Sequence, residues 1–330
     1  MQRLTMLRTT VLATLLATLG AVGCGNPEDS DLAEEQQGLT GCTGAPYPII
    51  LAHGMAGFER IGPLNYFFNI AADLRARGEI VVESQVPPFD SSANRAAYLA
   101  HFVDDTLIST GACKVNIIAH SQGGLDARYL VSSLHYGNRV GGVVTVSTPH
   151  RGSVVADVAL GLVPGISYDI INAVLQALWG ITSAPGDASI QASLRQFVRE
   201  NMIKNFNPAN PDDPNVKYYS VAGRSAGRIA SDECAGSLWD NTLRIDLLQP
   251  LMAVAAPIFS LTSPNPLSPI VNDGLVTVES ARWGKFLGCV PADHLDEVGQ
   301  LGHLFPDPIS GFNHKDLFRR IVAQLHSDKL

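Results

Sequence analysis

Residues 115–124, Val-Asn-Ile-Ile-Ala-His-Ser-Gln-Gly-Gly, constrain the fold of this chain more than any other segment. An apolar run ends at Ala119, Ser121 and two glycines follow, and a helical pattern opens at Leu125. This succession is typical of a nucleophile elbow, a sharp turn between strand and helix that exposes a serine hydroxyl at the edge of a sheet. The turn needs small neighbours, and Ala119 meets that need where the usual pattern has glycine. We therefore predict Ser121 as a nucleophile; the alternative is an ordinary glycine-rich turn.

Strand and helix patterns alternate along the rest of the chain, which favours an α/β fold. Such chains form a mostly parallel sheet flanked by helices. The predicted strands cover 48–53, 79–83, 114–119, 142–147 and 216–221, and the predicted helices cover 65–77, 93–109 and 125–135. Residues 46–330 suit one large domain of this class. The net charge of −8 offers no basic patch, so a nucleic-acid partner is not expected.

A serine hydroxyl needs a base to become a good nucleophile, and the base needs an acid that orients it. In folds with a nucleophile elbow, these groups follow the chain order serine, acid, histidine. Asp273 lies in Val-Asn-Asp-Gly-Leu-Val, and His294 lies in Asp-His-Leu-Asp-Glu-Val. Both follow expected strand ends, so both can lie at the sheet edge that carries Ser121. We predict Asp273 as the acid and His294 as the base.

Other histidines compete with His294 for the role of base. His303 and His314 are its rivals, and His120, beside the nucleophile, is expected to point into the scaffold. Three further histidines fall in helical or surface patterns: His101, His135 and His326. His294 is preferred because it completes the chain order of the three groups.

A glycine loop follows the first strong strand, in Tyr-Pro-Ile-Ile-Leu-Ala-His-Gly-Met-Ala-Gly-Phe (47–58). In this type of fold, the corresponding loop supplies one backbone N–H of the oxyanion hole, and the residue after the nucleophile supplies the other. The predicted donors are the amides of Met55 and Gln122. The alternative is a plain glycine turn, which would explain Gly54 and Gly57 but not their place after that strand.

The N-terminus has the pattern of an export signal, predicted over residues 1–23. Arg3 and Arg8 precede an apolar stretch, and Ala-Val-Gly-Cys at 21–24 is similar to a lipoprotein cleavage site, which would leave Cys24 lipidated. The acidic segment 24–45 is then a disordered tether. The protein would be exported across the inner membrane and lipid-anchored at the cell envelope (outer membrane), or secreted. The alternative is an uncleaved membrane anchor, for which the apolar stretch is short.

Five collinear motifs carry a family resemblance: His-Gly-Met-Ala-Gly-Phe, the elbow segment, Ser-Thr-Pro-His-Arg-Gly-Ser (147–153), Asn-Asp-Gly-Leu-Val and His-Leu-Asp-Glu-Val-Gly-Gln (294–300). Together they resemble the secreted bacterial true lipases of the Pseudomonas and Burkholderia type over residues 46–325. The resemblance implies an α/β-hydrolase fold, triacylglycerol lipase activity at an oil–water or membrane surface, a mobile helical lid and a structural calcium ion. It leaves open whether a lipase-specific folding chaperone is needed, and we expect a monomer.

The calcium site of that family can be transferred to this sequence in part. The resemblance implies Asp296 as one carboxylate ligand and the backbone carbonyls of Gln300 and Leu304 as two more. Asp246 is the best match for the upstream carboxylate, with Asp240 as a rival. Oxygen ligands suit a hard cation such as Ca²⁺. Its role would be to fix the loop that bears His294; for Asp296, the alternative is an ordinary surface or helix-start carboxylate.

The chain has five cysteines, and lipidation of Cys24 would leave four. The family has a cysteine just after the Asn-Asp-Gly turn, where this chain has Val-Glu-Ser (278–280), so that crosslink must be placed differently. Cys42 and Cys113 precede two strands that are neighbours in an α/β-hydrolase sheet, and the other two cysteines flank the segment of the acid. We predict the disulfides Cys42–Cys113 and Cys234–Cys289, which require an oxidising compartment.

An unusually apolar segment, 154–183, lies where the family carries its lid. An amphipathic lid would cover the pocket in water and turn its apolar face to lipid; the alternative is an ordinary packed helical pair. The expected function is hydrolysis of carboxylic esters of lipids, most simply triacylglycerols. A short-chain esterase, a phospholipase or an acyltransferase would use the same triad. A non-catalytic lipid-binding surface lipoprotein is the alternative from a different class.

Overall fold

The computed structural model describes residues 41–57, 60–61, 64–163, 188–225, 232–236, 258–259, 270–300 and 310–330. Several predictions concern residues outside these ranges: the signal peptide, Cys24, the tether up to residue 40, the lid from 164 to 183, His303, Asp240, Asp246 and Leu304. Cys42–Leu330 forms one compact unit. No helix of the described part is long and apolar enough to cross a membrane.

A six-stranded sheet, parallel throughout, forms the centre of this unit. Its strands are β1 (Ile49–Ala52), β4 (Val81–Glu83), β5 (Val115–His120), β6 (Val140–Val146), β7 (Lys217–Gly223) and β8 (Lys285–Val290). Their spatial order is β4-β1-β5-β6-β7-β8. The predicted parallel sheet is confirmed. Among the six strands of this sheet, β8 was not predicted, because Lys285 and Gly288 leave it only a short apolar run.

The described helices are α1 (Ile70–Arg75), α2 (Ser92–Thr110), α3 (Gln122–Ser132), α4 (Val154–Ala159), α5 (Ala188–Gln196), α6 (Arg199–Asn201), α7 (Asn207–Ala209), α8 (Val278–Ala281) and α9 (His314–Ser327). A π-helix, Met202–Phe206, joins α6 to α7. Short 3-10 helices lie at Tyr136–Asn138, Asp232–Cys234 and Asp296–Val298.

Two predicted helices begin elsewhere than expected. The helix predicted from residue 65 begins at Ile70, because β2 (Arg60–Ile61) pairs with β3 (Leu64–Asn65) and Asn69 takes a left-handed conformation with φ of 56°. The helix predicted from residue 125 begins at Gln122, directly after Ser121. The second difference places Ser121, the predicted nucleophile, immediately before the first residue of the helix.

Helices cover both faces of the sheet, because alternate side chains of β1 pack into two different hydrophobic cores. Ile49 and Leu51 pack into a core that α1 and α9 complete, whereas Ile50 and Ala52 pack into a second core with α2 and α3. Successive side chains of a strand point to opposite faces, so a strand buried on both faces must be apolar throughout. All the residues of β1, β5 and β6 are buried.

The predicted disulfides Cys42–Cys113 and Cys234–Cys289 are both confirmed. Cys42 and Cys113 join the segments just before β1 and β5, where Thr43 and Ala112 also form a parallel bridge. Cys289 lies in β8 and ties this strand to the 3-10 helix that ends at Cys234. Of the predicted lid, α4 is described, and all its residues are buried.

Candidate active site

Ser121 occupies a sharp turn between β5 and α3, with φ of 54° and ψ of −127°. Positive φ is costly for a residue with a Cβ, and such strain is found where function requires a fixed side chain. A Cβ on Gly123 would run into the carbonyl oxygen of Ala52, so this position needs glycine because β1 approaches it closely. The turn therefore has the geometry that the sequence predicted for a nucleophile elbow.

Asp273 and His294 form a direct hydrogen bond at the same edge of the sheet. Nδ1 of His294 lies 2.7 Å from Oδ2 of Asp273, and both side chains are buried. The other oxygen of Asp273 accepts hydrogen bonds from the amides of Leu275 and Val276, at 2.8 and 2.7 Å. The backbone N–H of His294 also donates to the carbonyl of Asp273 at 3.0 Å. The imidazole is thus oriented by a carboxylate that is itself held by backbone amides.

Ser121 and His294 line one cavity of about 290 Å³. Most of its walls are apolar, and its polar lining residues include Tyr66 and Ser153. The complete lining is Met55, Ala56, Tyr66, Ser121, Pro149, Ser153, Val155, Ala156, Phe197, Leu275, Val276, His294, Leu295 and Gln300. An apolar cavity with convergent polar groups is the usual form of a small-molecule site.

The loop after β1 lies against Ser121, as the oxyanion-hole prediction requires. A Cβ on Gly54 would come within 2.7 Å of Cβ of Ser121 and 2.8 Å of the Tyr66 hydroxyl, so close approach rather than flexibility requires glycine here. Met55 reaches the cavity. The amides of Met55 and Gln122 donate no hydrogen bond to any group within the described ranges.

A buried ion pair anchors this loop, and the sequence did not predict Arg95 as a member of it. Nε of Arg95, in α2, lies 2.7 Å from Oδ2 of Asp126, in α3, and both side chains are at most 2% exposed. Another nitrogen of Arg95 donates to the carbonyls of His53 and Gly54, at 2.7 and 3.3 Å. Burial raises the pKa of Asp126 to about 6, while the charge of Arg95 opposes that rise.

His53 is also fixed beside this loop. Its Nδ1 contacts the carbonyl of Gly54 at 2.9 Å, and its Nε2 accepts from the amide of Val86 at 3.2 Å. A ring that donates from one nitrogen and accepts at the other must be neutral. Burial, assisted by the charge of Arg95, lowers the pKa of His53 to about 4.

His120 points into the scaffold, as predicted, and is fully buried. Its Nδ1 lies 2.7 Å from the Tyr66 hydroxyl, and its Nε2 lies 3.2 Å from Oε2 of Glu297 without the alignment of a hydrogen bond. Burial, with the nearby His294, lowers the pKa of His120 well below its usual value. The contacts of Tyr66 and Glu297 with His120 were not predicted: Glu297 lies in the His-Leu-Asp-Glu-Val-Gly-Gln motif, but neither residue has a sequence signal that pairs it with His120.

The rival base His314 lies elsewhere. It begins α9, is buried, and its Nε2 contacts the carbonyl of Phe68 at 2.9 Å. The other rival, His303, lies outside the described residues. Of the histidines described, His294 is therefore the one that shares the cavity with Ser121.

Two of the predicted calcium ligands are described. Asp296 begins the 3-10 helix just after His294 and is 5% exposed, and Gln300 lines the cavity. The other two, Asp246 and Leu304, lie outside the described residues.

A separate cluster of metal-binding side-chain types is formed by His120, His294 and Glu297, whose ligand atoms lie within 4.8 Å of one another. Two of these three groups offer nitrogen, whereas Ca²⁺ prefers oxygen. The cluster is therefore not the predicted calcium set.

Comparisons with known proteins find relatives among the lipases. No protein-family model matches the chain. A triacylglycerol lipase of Vibrio cholerae is 30% identical over 272 residues, which cover 79% of this chain and 82% of that lipase. A triacylglycerol lipase of Burkholderia plantarii is 29% identical over 293 residues, with 77% of this chain and 79% of that lipase covered.

Among solved structures, the mature form of the Bacillus licheniformis lipase BlEst2 superimposes with a TM-score of 0.58 and 20% identity, and covers 85% of this chain and 94% of that chain. At this identity the likeness bears on the fold alone. Together with the six-stranded parallel sheet, it shows the α/β-hydrolase fold that the sequence predicted.

Proposed function

The chain belongs to the bacterial triacylglycerol lipases and hydrolyses lipid esters; we propose that it does so through a triad of Ser121, His294 and Asp273 and an acyl-enzyme intermediate. One observation carries the proposal. Ser121, on a strained turn, and His294, hydrogen-bonded to Asp273, line the same apolar cavity.

The chemistry follows from which atoms of the triad are free. Nδ1–H of His294 donates to Asp273, which leaves Nε2 as the base. Nε2 takes the proton of Ser121 while Oγ attacks the ester carbonyl carbon. The tetrahedral oxyanion accepts hydrogen bonds from the amides of Met55 and Gln122. When the intermediate collapses, the C–O bond to the alcohol breaks and His294 gives its proton to the departing oxygen.

Deacylation repeats these steps with water. His294 takes a proton from the water molecule, the resulting oxygen attacks the acyl carbon, and the bond to Ser121 breaks. Ser121 recovers its proton from His294, and the fatty acid leaves. Throughout, Asp273 stabilises the imidazolium and holds its tautomer without accepting its proton.

The substrate class follows from the cavity and from the relatives. Its walls are largely apolar, including Val155, Phe197 and Leu275, and so suit an acyl chain. The relatives in Vibrio and Burkholderia are triacylglycerol lipases. We propose emulsified long-chain triacylglycerol as the substrate, with the apolar segment 154–183 as the lid over the cavity.

We also propose one structural calcium ion beside the loop of His294. Its ligands would be the carboxylates of Asp296 and Asp246 and the carbonyl oxygens of Gln300 and Leu304, a set that suits a hard cation. When bound, the ion would fix the loop rather than take part in proton transfer.

The charge around this loop supports a cation. Asp273, Asp293, Asp296 and Glu297 are each at most 5% exposed. Burial first, and then the negative charges of its three neighbours, raise the pKa of Glu297 well above its usual value. A divalent cation would offset the repulsion among these carboxylates.

We further propose that residues 1–23 direct export and that Cys24 is lipidated, with 24–45 as the tether. The two disulfides support an oxidising compartment outside the cytoplasm. The enzyme would act as a monomer at an oil–water or membrane surface.

The test is hydrolysis of emulsified triolein and of p-nitrophenyl butyrate by the wild type and by Ser121→Ala. We expect turnover of both esters by the wild type, and its loss in a variant whose thermal unfolding is unchanged. Full activity of Ser121→Ala would refute the triad. Turnover of butyrate alone would make the protein a short-chain esterase, and failure to react with a fluorophosphonate probe would leave a lipid-binding surface lipoprotein.

A further inference from the structure

A series of buried polar side chains lies next to Ser121 and contacts three loops of the site. These are the loop of Gly54, the turn that bears Ser121 and the loop of His294. The Tyr66 hydroxyl lies beside Gly54, in the loop proposed for the oxyanion hole, so closely that a Cβ on Gly54 would come within 2.8 Å of it. The same hydroxyl lies 2.7 Å from Nδ1 of His120. His120 is the residue immediately before Ser121. The Tyr66 side chain thus joins the loop of Gly54 to the turn that bears Ser121.

The far side of His120 faces the third loop. Its Nε2 lies 3.2 Å from Oε2 of Glu297, and its ring contacts the ring of His294 with the two centroids 4.5 Å apart. Oε1 of Glu297 accepts from the hydroxyl of Ser147 at 2.6 Å, and that hydroxyl in turn accepts from the amide of Gly223 at 3.0 Å. This series of polar contacts therefore ends at Gly223, the last residue of β7.

The contacts of His120 suit one neutral tautomer. When the Tyr66 hydroxyl donates to Nδ1 of His120, at 2.7 Å, the ring proton lies on Nε2, which faces Oε2 of Glu297 at 3.2 Å.

We propose that His120 is a positioning residue that couples the oxyanion loop to the loop of the base, with Tyr66 and Glu297 as its two arms. This inference rests on the proposed roles of Ser121, Met55 and His294. Through Tyr66 it sets the position of Gly54, and hence of the amide that follows. Through Glu297, His120 sets the position of the His294 backbone relative to the turn that bears Ser121.

A purely structural role accounts less well for the same groups. Buried polar groups add little stability over apolar ones of similar volume, and each costs desolvation if left unpaired. Here they run between three loops that carry reacting atoms, and the Tyr66 ring borders the cavity itself. Small displacements of such loops reduce rate more than stability.

The first test is Tyr66→Phe, which removes one hydroxyl and keeps the ring. We expect kcat for p-nitrophenyl butyrate to fall on the order of tenfold to a hundredfold, because the oxyanion donors act mainly in the transition state. KM should change little. The control is Tyr219→Phe, since Tyr219 is also buried and loses one hydrogen bond, to Asp328 at 2.7 Å, outside the described cavity lining. An unchanged kcat in Tyr66→Phe would overturn the proposal.

The second test is a double-mutant cycle between Tyr66→Phe and Glu297→Gln. If both act through His120, the double variant should have a kcat within about twofold of the worse single variant, because the coupling is already lost. Multiplicative losses would show that they act independently and would overturn the coupling. Wild-type labelling by a fluorophosphonate separates the outcomes: a protein that is not labelled contradicts the proposed triad, whereas a labelled one with normal Tyr66→Phe kinetics contradicts only this inference.

Discussion

The carboxylate of Asp273 uses one oxygen for Nδ1 of His294, at 2.7 Å, and the other for two backbone amides. The acid is thus fixed independently of the base that it orients. Because these amides belong to the same short turn, the position of Asp273 depends on local backbone geometry. A substitution at Asp273 can therefore change the chemistry of His294 without unfolding the loop.

Asp273→Asn tests this directly. The amide oxygen can keep the bonds from Leu275 and Val276, which leaves the NH₂ group facing Nδ1 and forces the wrong tautomer on His294. We expect kcat to fall by about 10³–10⁴. The melting temperature should stay close to that of the wild type. Activity above a tenth of the wild-type value would contradict Asp273 as the acid.

Ser121→Gly should stabilise the protein relative to Ser121→Ala. Ser121 has φ of 54°, which glycine adopts without steric cost and alanine does not. Both variants lack the nucleophile, so the comparison isolates backbone strain. We expect the free energy of unfolding of the glycine variant to be higher by about 1 kcal/mol. Urea unfolding of the two variants side by side measures the difference; equal stabilities would mean that the elbow is not strained.

The elbow, the acid and the base could be predicted from the sequence because each leaves a local pattern. Close packing around Ser121 demands small residues at fixed spacing, and the chain order of the fold then restricts the partners. The Cys42–Cys113 disulfide could be predicted because sheet order places two strand starts side by side.

The buried supports of the site could not be predicted in the same way. Arg95 lies in a helix that carries other charged residues, and nothing in the sequence distinguishes it from an exposed arginine. Tyr66 lies in a segment whose pattern predicts helix, because the left-handed turn at Asn69 has no strong signal there. Such contacts join residues that are distant along the chain, so they emerge only once the sheet is assembled.

The pH dependence of stability should contain a contribution from His53. Its pKa is about 4 in the folded protein, against an ordinary value of 6.5, so the unfolded chain takes up a proton first as pH falls. The stabilising contribution is therefore complete above pH 6.5 and is lost between that value and pH 4. We expect His53→Gln to reduce the slope of unfolding free energy against pH by about 1.4 kcal/mol per pH unit in this range.

Urea unfolding of wild type and His53→Gln at a series of pH values measures that change. The comparison of slopes is unaffected by hydrogen bonds that the variant loses at all pH values. Equal slopes would contradict a neutral, buried His53.

Chelation should destabilise the wild type if the proposed calcium ion is present. A ligand at a hundred times its Kd stabilises the folded state by about 2.7 kcal/mol, so EDTA should lower the melting temperature and Ca²⁺ should restore it. Asp296→Asn should have the melting temperature of the EDTA-treated wild type, and EDTA should not lower it further. Scanning calorimetry in the two buffers decides the matter, and an EDTA effect that persists in Asp296→Asn would remove Asp296 from the site.

The buried pair of Arg95 and Asp126 allows stability to be separated from positioning. Arg95→Met leaves Asp126 buried without its partner and should reduce the free energy of unfolding by about 3–5 kcal/mol. Adding Asp126→Leu replaces the pair with apolar side chains and should recover most of that loss. The carbonyls of His53 and Gly54 still lack their donor in the double variant.

We therefore expect the kcat of the double variant to remain at least about tenfold below the wild type although its melting temperature recovers, because the oxyanion loop is no longer held. Recovery of both quantities together would show that the pair serves stability alone.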